Sequence, residues 1–319
     1  MRRIHAVMVA AFALALPLTA RAQRAVAVRA DNDAFNFWQR PWLRPDEEYT
    51  SGVRLTVTLD DAGVWAKHVA PLLGACRPAD APCATHSYAF GQDIFTAKRP
   101  KWEANALPGG RPDAGVLWFG ARTRVTRRSD IAEAGWTLGV TGKPSLAEAS
   151  QRLIHSLAPR YNRPIEWGAQ VPAEPVFALH YDRRRLLSTG LLAVQPHGGA
   201  SMGTLLTEAR AGLSAQLESG LPVPLPQRAA RLLGAINVAV EGDVTWRGVA
   251  RNAMLSGTFF RSSPHVDLRP LVRELSLGVR VRWRVLDASW MAHQTSAEHV
   301  GRDMPHTWST LELRWRPER

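Results

Sequence analysis

Apolar and polar residues alternate strictly along several stretches of this chain. Val53, Leu55 and Val57 are interleaved with Arg54 and Thr56, and residues 209–217, 275–283 and 311–315 repeat the pattern. A period of two is the signature of a β-strand with one apolar and one polar face. The pattern predicts strands at 24–31, 52–60, 86–92, 113–125, 133–141, 174–186, 190–198, 204–217, 234–250, 272–284, 285–295 and 306–315.

Alternation alone fits two architectures. In a soluble β-sandwich the polar face meets water, whereas in an outer-membrane barrel it lines the lumen and the apolar face meets lipid. Arginine-rich polar faces, long segments and tryptophans near the predicted strand ends favour the barrel, because aromatic residues form girdles at membrane interfaces. We therefore predict an all-β fold, a closed antiparallel transmembrane β-barrel of about twelve strands.

One connection between the predicted strands has a helical pattern instead. Pro144 and Ser145 open a run in which Leu146, Ala149, Leu153, Ile154 and Leu157 recur at helical spacing. Ser145 is a candidate N-cap, with Glu148 at the capping-box position. This short helix falls in a connection on the extracellular side and carries His155 beside its apolar stripe.

The first residues have the pattern of a secretory signal peptide. Arg2 and Arg3 precede an apolar run from Ala6 to Leu18, and Ala20-Arg21-Ala22 is an A-x-A cleavage site. We predict a signal peptide over residues 1–22 and a barrel domain over residues 23–319. The alternative is a retained anchor helix, although the apolar run is short for one.

Charge and cysteine content add two expectations. The formal net charge is +12, and removal of Arg2, Arg3 and Arg21 lowers it to +9. An exported basic protein suits an anionic partner such as lipopolysaccharide, although arginines that line a lumen would give the same balance. The two cysteines, Cys76 and Cys83, are close in sequence, and export predicts a local disulfide between them.

Polar residues that are able to catalyse a reaction or bind a ligand recur at one predicted rim. A strand crosses the membrane once, so every second connection faces the same compartment. With the amino terminus in the periplasm, the outer connections are 32–51, 93–112, 142–173, 199–203, 251–271 and 296–305. The sequences Asp31-Asn32-Asp33, Tyr49-Thr50-Ser51-Gly52 and Arg111-Pro112-Asp113, together with His155, all lie in or beside the first three.

These motifs, in this order, resemble the lipid A 3'-O-deacylase family (LpxR-like). Further matching segments are Phe90 to Thr96, Val140 to Leu146, Gln151, Trp167 to Gln170 and Glu174-Pro175. The resemblance runs from about residue 24 to 182, and Asp113 departs from it where the family usually has an aromatic residue.

The resemblance implies a calcium-dependent hydrolase of the 3'-linked acyloxyacyl ester of lipid A, in the outer membrane of a Gram-negative bacterium. Its catalytic residues would be His155 as general base with Asn32, Asp33 and Thr50. Calcium would be held by Asp33, Thr50 and a later carboxylate, Glu166 or Glu174, since calcium prefers hard oxygen ligands. Arg111, Lys98 and Lys101 are candidates for binding the lipid A phosphates.

Two other functions remain open from the sequence. The first is a non-catalytic pore or surface-binding barrel in which the motifs are structural. The second is the same ester chemistry on phospholipids. We expect lipopolysaccharide and outer-membrane lipids as partners and no nucleic acid, and the oligomeric state is open.

Overall fold

The protein folds as a closed antiparallel β-barrel. The computed structural model describes residues 23–37, 47–60, 64–74, 83–99, 110–157, 166–187, 191–218 and 236–317. Each strand pairs with its sequence neighbours, and β1 pairs with β12 to close the sheet. The strands are β1 Gln23–Asn32, β2 Glu48–Leu59, β3 Ala84–Thr96, β4 Ala114–Arg127, β5 Asp130–Thr141, β6 Pro175–Arg185, β7 Leu192–Met202, β8 Leu206–Glu218, β9 Ile236–Asn252, β10 Leu271–Trp283, β11 Leu286–Thr295 and β12 His306–Trp315.

This architecture confirms the predicted barrel and its strand number. The observed starts of β2 and β3 lie before the predicted ones, and β3 also ends later, at Thr96. The early part of β2 contains a bulge between Tyr49 and Ser51, which breaks the period of two on which the prediction rests.

Strand register separates the two faces of the wall. The outward face carries a row of exposed or half-buried apolar side chains joined by cross-strand pairing, namely Val28, Leu55, Phe90, Phe119, Leu138 and Phe177. The lumen instead holds ion pairs. Arg247 lies 2.8 Å from Glu208, and Arg210 contacts both Asp182 and Glu208. The apolar row faces lipid, and the polar lumen explains the arginine content.

The connections differ between the two rims. At one rim, β4–β5 and β10–β11 are joined by turns over residues 128–129 and 284–285. The opposite rim carries longer connections, which include α2 (Ala147–Leu157) and α3 (Ala253–Ser256). None of the helices in the described ranges has the length and apolar character to cross a membrane.

A helix that the sequence pattern did not predict lies in the β2–β3 connection, on the short-turn rim. This helix, α1 (Val64–Leu73), packs against β4 and β5, and Arg127 donates a hydrogen bond to the carbonyl of Leu73. Val125 and Ala132 pair across these strands and are buried, although they share the outward face with Phe119. Cys83, just before β3, is disulfide-bonded, in accord with the expected disulfide, and Cys76 lies outside the described residues.

Candidate active site

Four residues on neighbouring strands form a row on the outward face near the rim with the longer connections, here called the wall row. Asn32 pairs with Ser51, Ser51 with Ile94, and Ile94 with Gly115. Antiparallel partners point to the same face of a sheet, so these side chains share one side of the wall. The predicted motifs therefore meet at one rim, but their first two lie at strand ends and not in loops.

Asn32 and Asp33 lie where β1 ends. The Asn32 side-chain oxygen accepts a hydrogen bond of 2.7 Å from Ala34 N and caps the 3-10 helix Asp33–Phe35. This contact leaves the amide N–H groups of Asn32 to donate elsewhere. Asp33 is buried, with 6% of its surface exposed. Asp31, the residue before Asn32, faces the lumen and accepts a hydrogen bond from Tyr49.

Thr50 is the extra residue of the β2 bulge. Tyr49 pairs with Phe95 and Ser51 pairs with Ile94, so Thr50 has no partner in the ladder. Its hydroxyl lies 2.6 Å from that of Thr96, the last residue of β3. The bulge thereby brings a buried hydroxyl next to the wall row.

The helix α2 lies against the outer side of this wall. Ala147 packs so closely on Gly115 that a Cβ added to the glycine would lie 2.1 Å from the alanine Cβ. Gln92 donates a hydrogen bond of 2.6 Å to the carbonyl of Ser145, just before the helix. Ile94, Ala147 and Trp167 form a small buried cluster. The region between the wall row and the facing side of α2 is called the cleft below.

The side of α2 that packs on the wall is not the predicted apolar stripe. Ala147 and Gln151 are buried and His155 is half-buried, at a spacing of one helical turn, whereas Leu146 and Ile154 are half exposed. The reason is that lipid, not water, surrounds an outer-membrane barrel, so the apolar side turns away from the protein. His155 thus shares the wall-facing side of the helix.

The predicted capping box does not form. The Ser145 hydroxyl donates to the Gly142 carbonyl at 2.5 Å and is 3.4 Å from Ala147 N. Glu148 instead pairs with Arg152 at 2.7 Å and accepts a hydrogen bond from Gln170. Leu146 takes a left-handed conformation (φ 59°), which separates Ser145 from the helix start.

Gln151 contributes an unsatisfied amide to the cleft. Its side-chain oxygen accepts a hydrogen bond of 2.8 Å from the Trp167 indole N–H, which fixes the orientation of the amide. Its Nε2 atom is buried without a hydrogen-bond partner among the described residues. A buried donor in this state costs free energy, and a polar group of a ligand would satisfy it.

The residues predicted to bind phosphate lie in different settings. Arg111 is 2% exposed, forms a 2.8 Å salt bridge with Glu48 and donates to the Met254 carbonyl. Phosphate binding by Arg111 stays a prediction that these internal contacts do not favour. Lys98 is exposed in the β3–β4 connection and remains available, whereas Lys101 lies outside the described residues.

A second buried ion pair, between Arg99 and Asp113, was not predicted. The two groups lie 2.6 Å apart, and Asp113 also accepts a hydrogen bond from Ala97 N. Burial raises the pKa of the Asp113 carboxyl, against the lowering effect of Arg99. Arg99 further donates to the carbonyl of Glu166, so this pair ties the β3–β4 connection to the segment after α2.

The carboxylates considered for calcium differ in their contacts. Glu174 is buried, and its two oxygens accept hydrogen bonds of 2.7 and 2.9 Å from Phe259 N and Phe260 N. Glu166 has an exposed side chain. Within the described ranges, no group of three or more acidic, histidine or cysteine side chains is arranged to hold a metal ion. Asp33 and Thr50 supply hard oxygen donors suited to calcium, but only part of a shell.

Comparison with known proteins identifies the family. The family model "Outer membrane protein LpxR" matches residues 6–317. The chain belongs to the LpxR family. LpxR from Salmonella typhimurium, a solved structure, is 17% identical to this chain in sequence. The match covers 92% of this chain and 99% of the Salmonella chain, and the two structures superpose with a TM-score of 0.72. The KdgM porin (6% identity, TM-score 0.41) covers 92% of this chain and 99% of its own. A search of curated protein sequences found no match.

Membership of the LpxR family and the barrel fold define this chain as an outer-membrane β-barrel protein of the Gram-negative type. The LpxR-like resemblance stated from the sequence motifs is confirmed by the match over nearly the whole chain.

Proposed function

We propose that this LpxR-family barrel hydrolyses the 3'-linked acyloxyacyl ester of lipid A. The observation that supports the proposal most strongly is the packing of α2, which carries His155 and Gln151, on the outer side of a wall whose nearby strands carry Asn32, Asp33 and Thr50. The cleft lies on the outward side of the barrel, above the apolar row, where a lipid reaches it laterally from the membrane. A soluble substrate would not require a site on the lipid-facing side of the barrel.

The dimensions are compatible with joint action of α2 and β1. His155 follows Ala147 by two helical turns, about 12 Å along the helix axis. Asn32 lies three strand spacings from Gly115, which is about 14 Å across the sheet. We propose that α2, which starts on Gly115 and contacts β4 and β3, runs on towards β1, so that His155 comes close to Asn32.

Each residue has a defined task in the proposed reaction. His155 takes a proton from a water molecule, which attacks the ester carbonyl, and returns the proton to the departing alcohol oxygen. The Gln151 Nε2 group and the Asn32 amide donate hydrogen bonds to the negative oxygen that develops on the carbonyl. Trp167 and the Ala34 amide hold these two side chains in position.

We further propose calcium as the cofactor. Asp33 and Thr50 would hold it, with Glu166 or backbone carbonyls in the rest of the shell, because calcium accepts mixed oxygen ligands. When bound, the ion supplies positive charge that polarises the ester carbonyl. Glu174 is a weaker candidate because both of its oxygens already bind backbone amides.

We propose that the rim with the longer connections faces the cell exterior. Outer-membrane barrels have short periplasmic turns and longer extracellular loops. This orientation places the cleft in the outer leaflet, where lipid A resides.

The test is mass spectrometry of lipid A from cells that express the wild-type chain or the His155→Ala variant. We expect loss of one acyloxyacyl group with the wild type and full acylation with the variant, at equal levels of folded barrel. Unchanged lipid A in both strains would argue against the proposal. Release of fatty acid from phospholipid alone would assign the ester chemistry to the other substrate.

A further inference from the structure

The rim with the short turns, opposite the candidate active site, contains an open cavity of about 570 Å³ between β6 and β7. The ladder between these strands ends at Arg184 and His197, and a backbone hydrogen bond resumes only at Leu187 N to the Val194 carbonyl. Pro196 lies in this interval and has no N–H to donate. The cavity therefore lies at a local interruption of the wall.

The cavity is strongly basic. Arg183, Arg184 and Arg185 line it together with a single carboxylate, that of Asp130. Arg183 binds both oxygens of Asp130 at 2.9 and 2.8 Å, which fixes its guanidinium at the edge of the cavity. Within the described part of the chain, no salt bridge involves Arg184 or Arg185. On the outward face, the Arg185 guanidinium is thus left for an anion, next to the Arg183 guanidinium.

The outward side chains of β6 change character in order along the strand. Phe177 and Leu179 are exposed apolar residues, Tyr181 is an exposed aromatic, and Arg183 and Arg185 follow on the same face. Aromatic side chains mark the boundary between hydrocarbon and headgroups in membrane barrels. The two arginines therefore lie at the level of the lipid phosphates.

Small residues on β7 shape the opposite side of the cavity. Pro196 and Gly198 share the outward face there, and Gly198 has no side chain to fill the space beside Arg183. An arginine fork matches the geometry of phosphate oxygens, and it can approach a headgroup here without steric hindrance. The apolar residues Leu179 and Tyr181 continue towards the region of the acyl chains.

From this geometry we propose that the β6–β7 cavity binds the phosphate headgroup of an anionic glycerophospholipid from the inner leaflet. Arg183 and Arg185 contact the phosphate, and Tyr181 with Leu179 contact the start of an acyl chain. This lipid is distinct from the deacylation substrate, because the cavity lies at the opposite rim. Its presence would anchor the barrel at a fixed depth in the membrane.

The test is native mass spectrometry of the purified full-length chain in mild detergent, with added phosphatidylglycerol or phosphatidylcholine. We expect the wild type to retain phosphatidylglycerol about tenfold better, as expected for charge-assisted hydrogen bonds. The Arg183→Gln/Arg185→Gln double variant should lose this preference. The single Arg185→Gln variant, which keeps the Arg183–Asp130 pair, should lose part of it.

Arg24→Gln is the matched control, since Arg24 is an exposed arginine at the same rim that pairs with Asp60 outside the cavity. This variant should bind phosphatidylglycerol like the wild type. Equal retention of both lipids, or a double variant that behaves like the wild type, would overturn the proposal. Full competition by inorganic phosphate would also overturn it, because it would show a site for free anions. Lipid A deacylation is measured separately and does not affect this result.

Discussion

At the scale of single residues, the candidate site depends on side chains whose partners fix their orientation. Gln151 is the clearest case, because Trp167 holds one end of its amide and the other end is a buried donor. His155 and Asn32 were predicted because their residue types and motif order matched the LpxR family. The roles of Gln151 and of the Arg99–Asp113 pair were not predicted, because they depend on contacts between distant segments that a local sequence pattern does not show.

The Gln151→Glu variant tests the proposed donor. Glutamate keeps an oxygen to accept from Trp167 but removes the Nε2 donor, so we expect deacylation to fall roughly 100-fold, as for loss of one oxyanion donor. Arg152→Gln, on the exposed side of the same helix, is the control and should retain activity. The measurement is the rate of acyl release from lipid A, with thermal unfolding in parallel. Equal rates for both variants would remove Gln151 from the mechanism.

The Glu174→Gln variant distinguishes a structural role of this carboxylate from a metal-binding role. Because its carboxylate accepts two backbone N–H bonds from the loop after α3, Glu174→Gln should destabilise the barrel by about 1–3 kcal/mol. The shift in melting temperature on calcium addition should remain as in the wild type. Glu166→Gln, which changes an exposed side chain, should leave the melting temperature unchanged without calcium. A lost calcium shift in Glu174→Gln would show instead that this carboxylate binds the metal.

At the scale of elements, strand prediction succeeded because one face of each strand meets lipid and the other a polar lumen. The helix at Ala147–Leu157 was predicted correctly, but the prediction failed for the side of this helix that packs on the wall and for α1. The apolar side of α2 faces outward, since its surroundings are hydrocarbon, and α1 is a short helix with an internal proline, Pro71. The start of β2 was missed because the bulge at Thr50 interrupts the alternation. These errors occur where tertiary contacts, and not the alternation of apolar and polar residues along a strand, determine the structure.

The seating of α2 on the wall can be tested at one glycine. A Cβ at Gly115 would lie far inside the contact distance of Ala147, so Gly115→Ala should displace the helix. A displacement of about 1 Å can cost roughly 100-fold in rate. Gly168→Ala is the matched control, because no atom lies within 4 Å of its added Cβ. The readout is deacylation rate at equal amounts of folded barrel, and equal rates in the two variants would contradict the close packing.

At the scale of the whole molecule, the charges of the lumen bear on the pore alternative. Arg247 lies between Glu208, Glu274 and Glu298, and Asp31, Thr310 and His293 form a hydrogen-bonded chain from the β1 wall. Most of these contacts join neighbouring strands along the inner wall, so they neutralise the charges of the lumen locally. The lateral cleft, not the lumen, is the route that we propose for the substrate.

A planar bilayer experiment tests the pore alternative. We expect no stable conductance steps from the purified chain, whereas an open porin of known conductance serves as the positive control. Reproducible ion-conducting steps would favour the pore interpretation that the sequence left open.

The most direct test of the central claim is acyl release by the purified barrel from lipid A, followed by mass spectrometry of both products. The account predicts release of the 3'-linked acyloxyacyl group by the wild type with calcium, and none by His155→Gln or after chelation. Release that continues undiminished in His155→Gln would contradict the account, because the cleft between α2 and the wall would then not be the site of the chemistry.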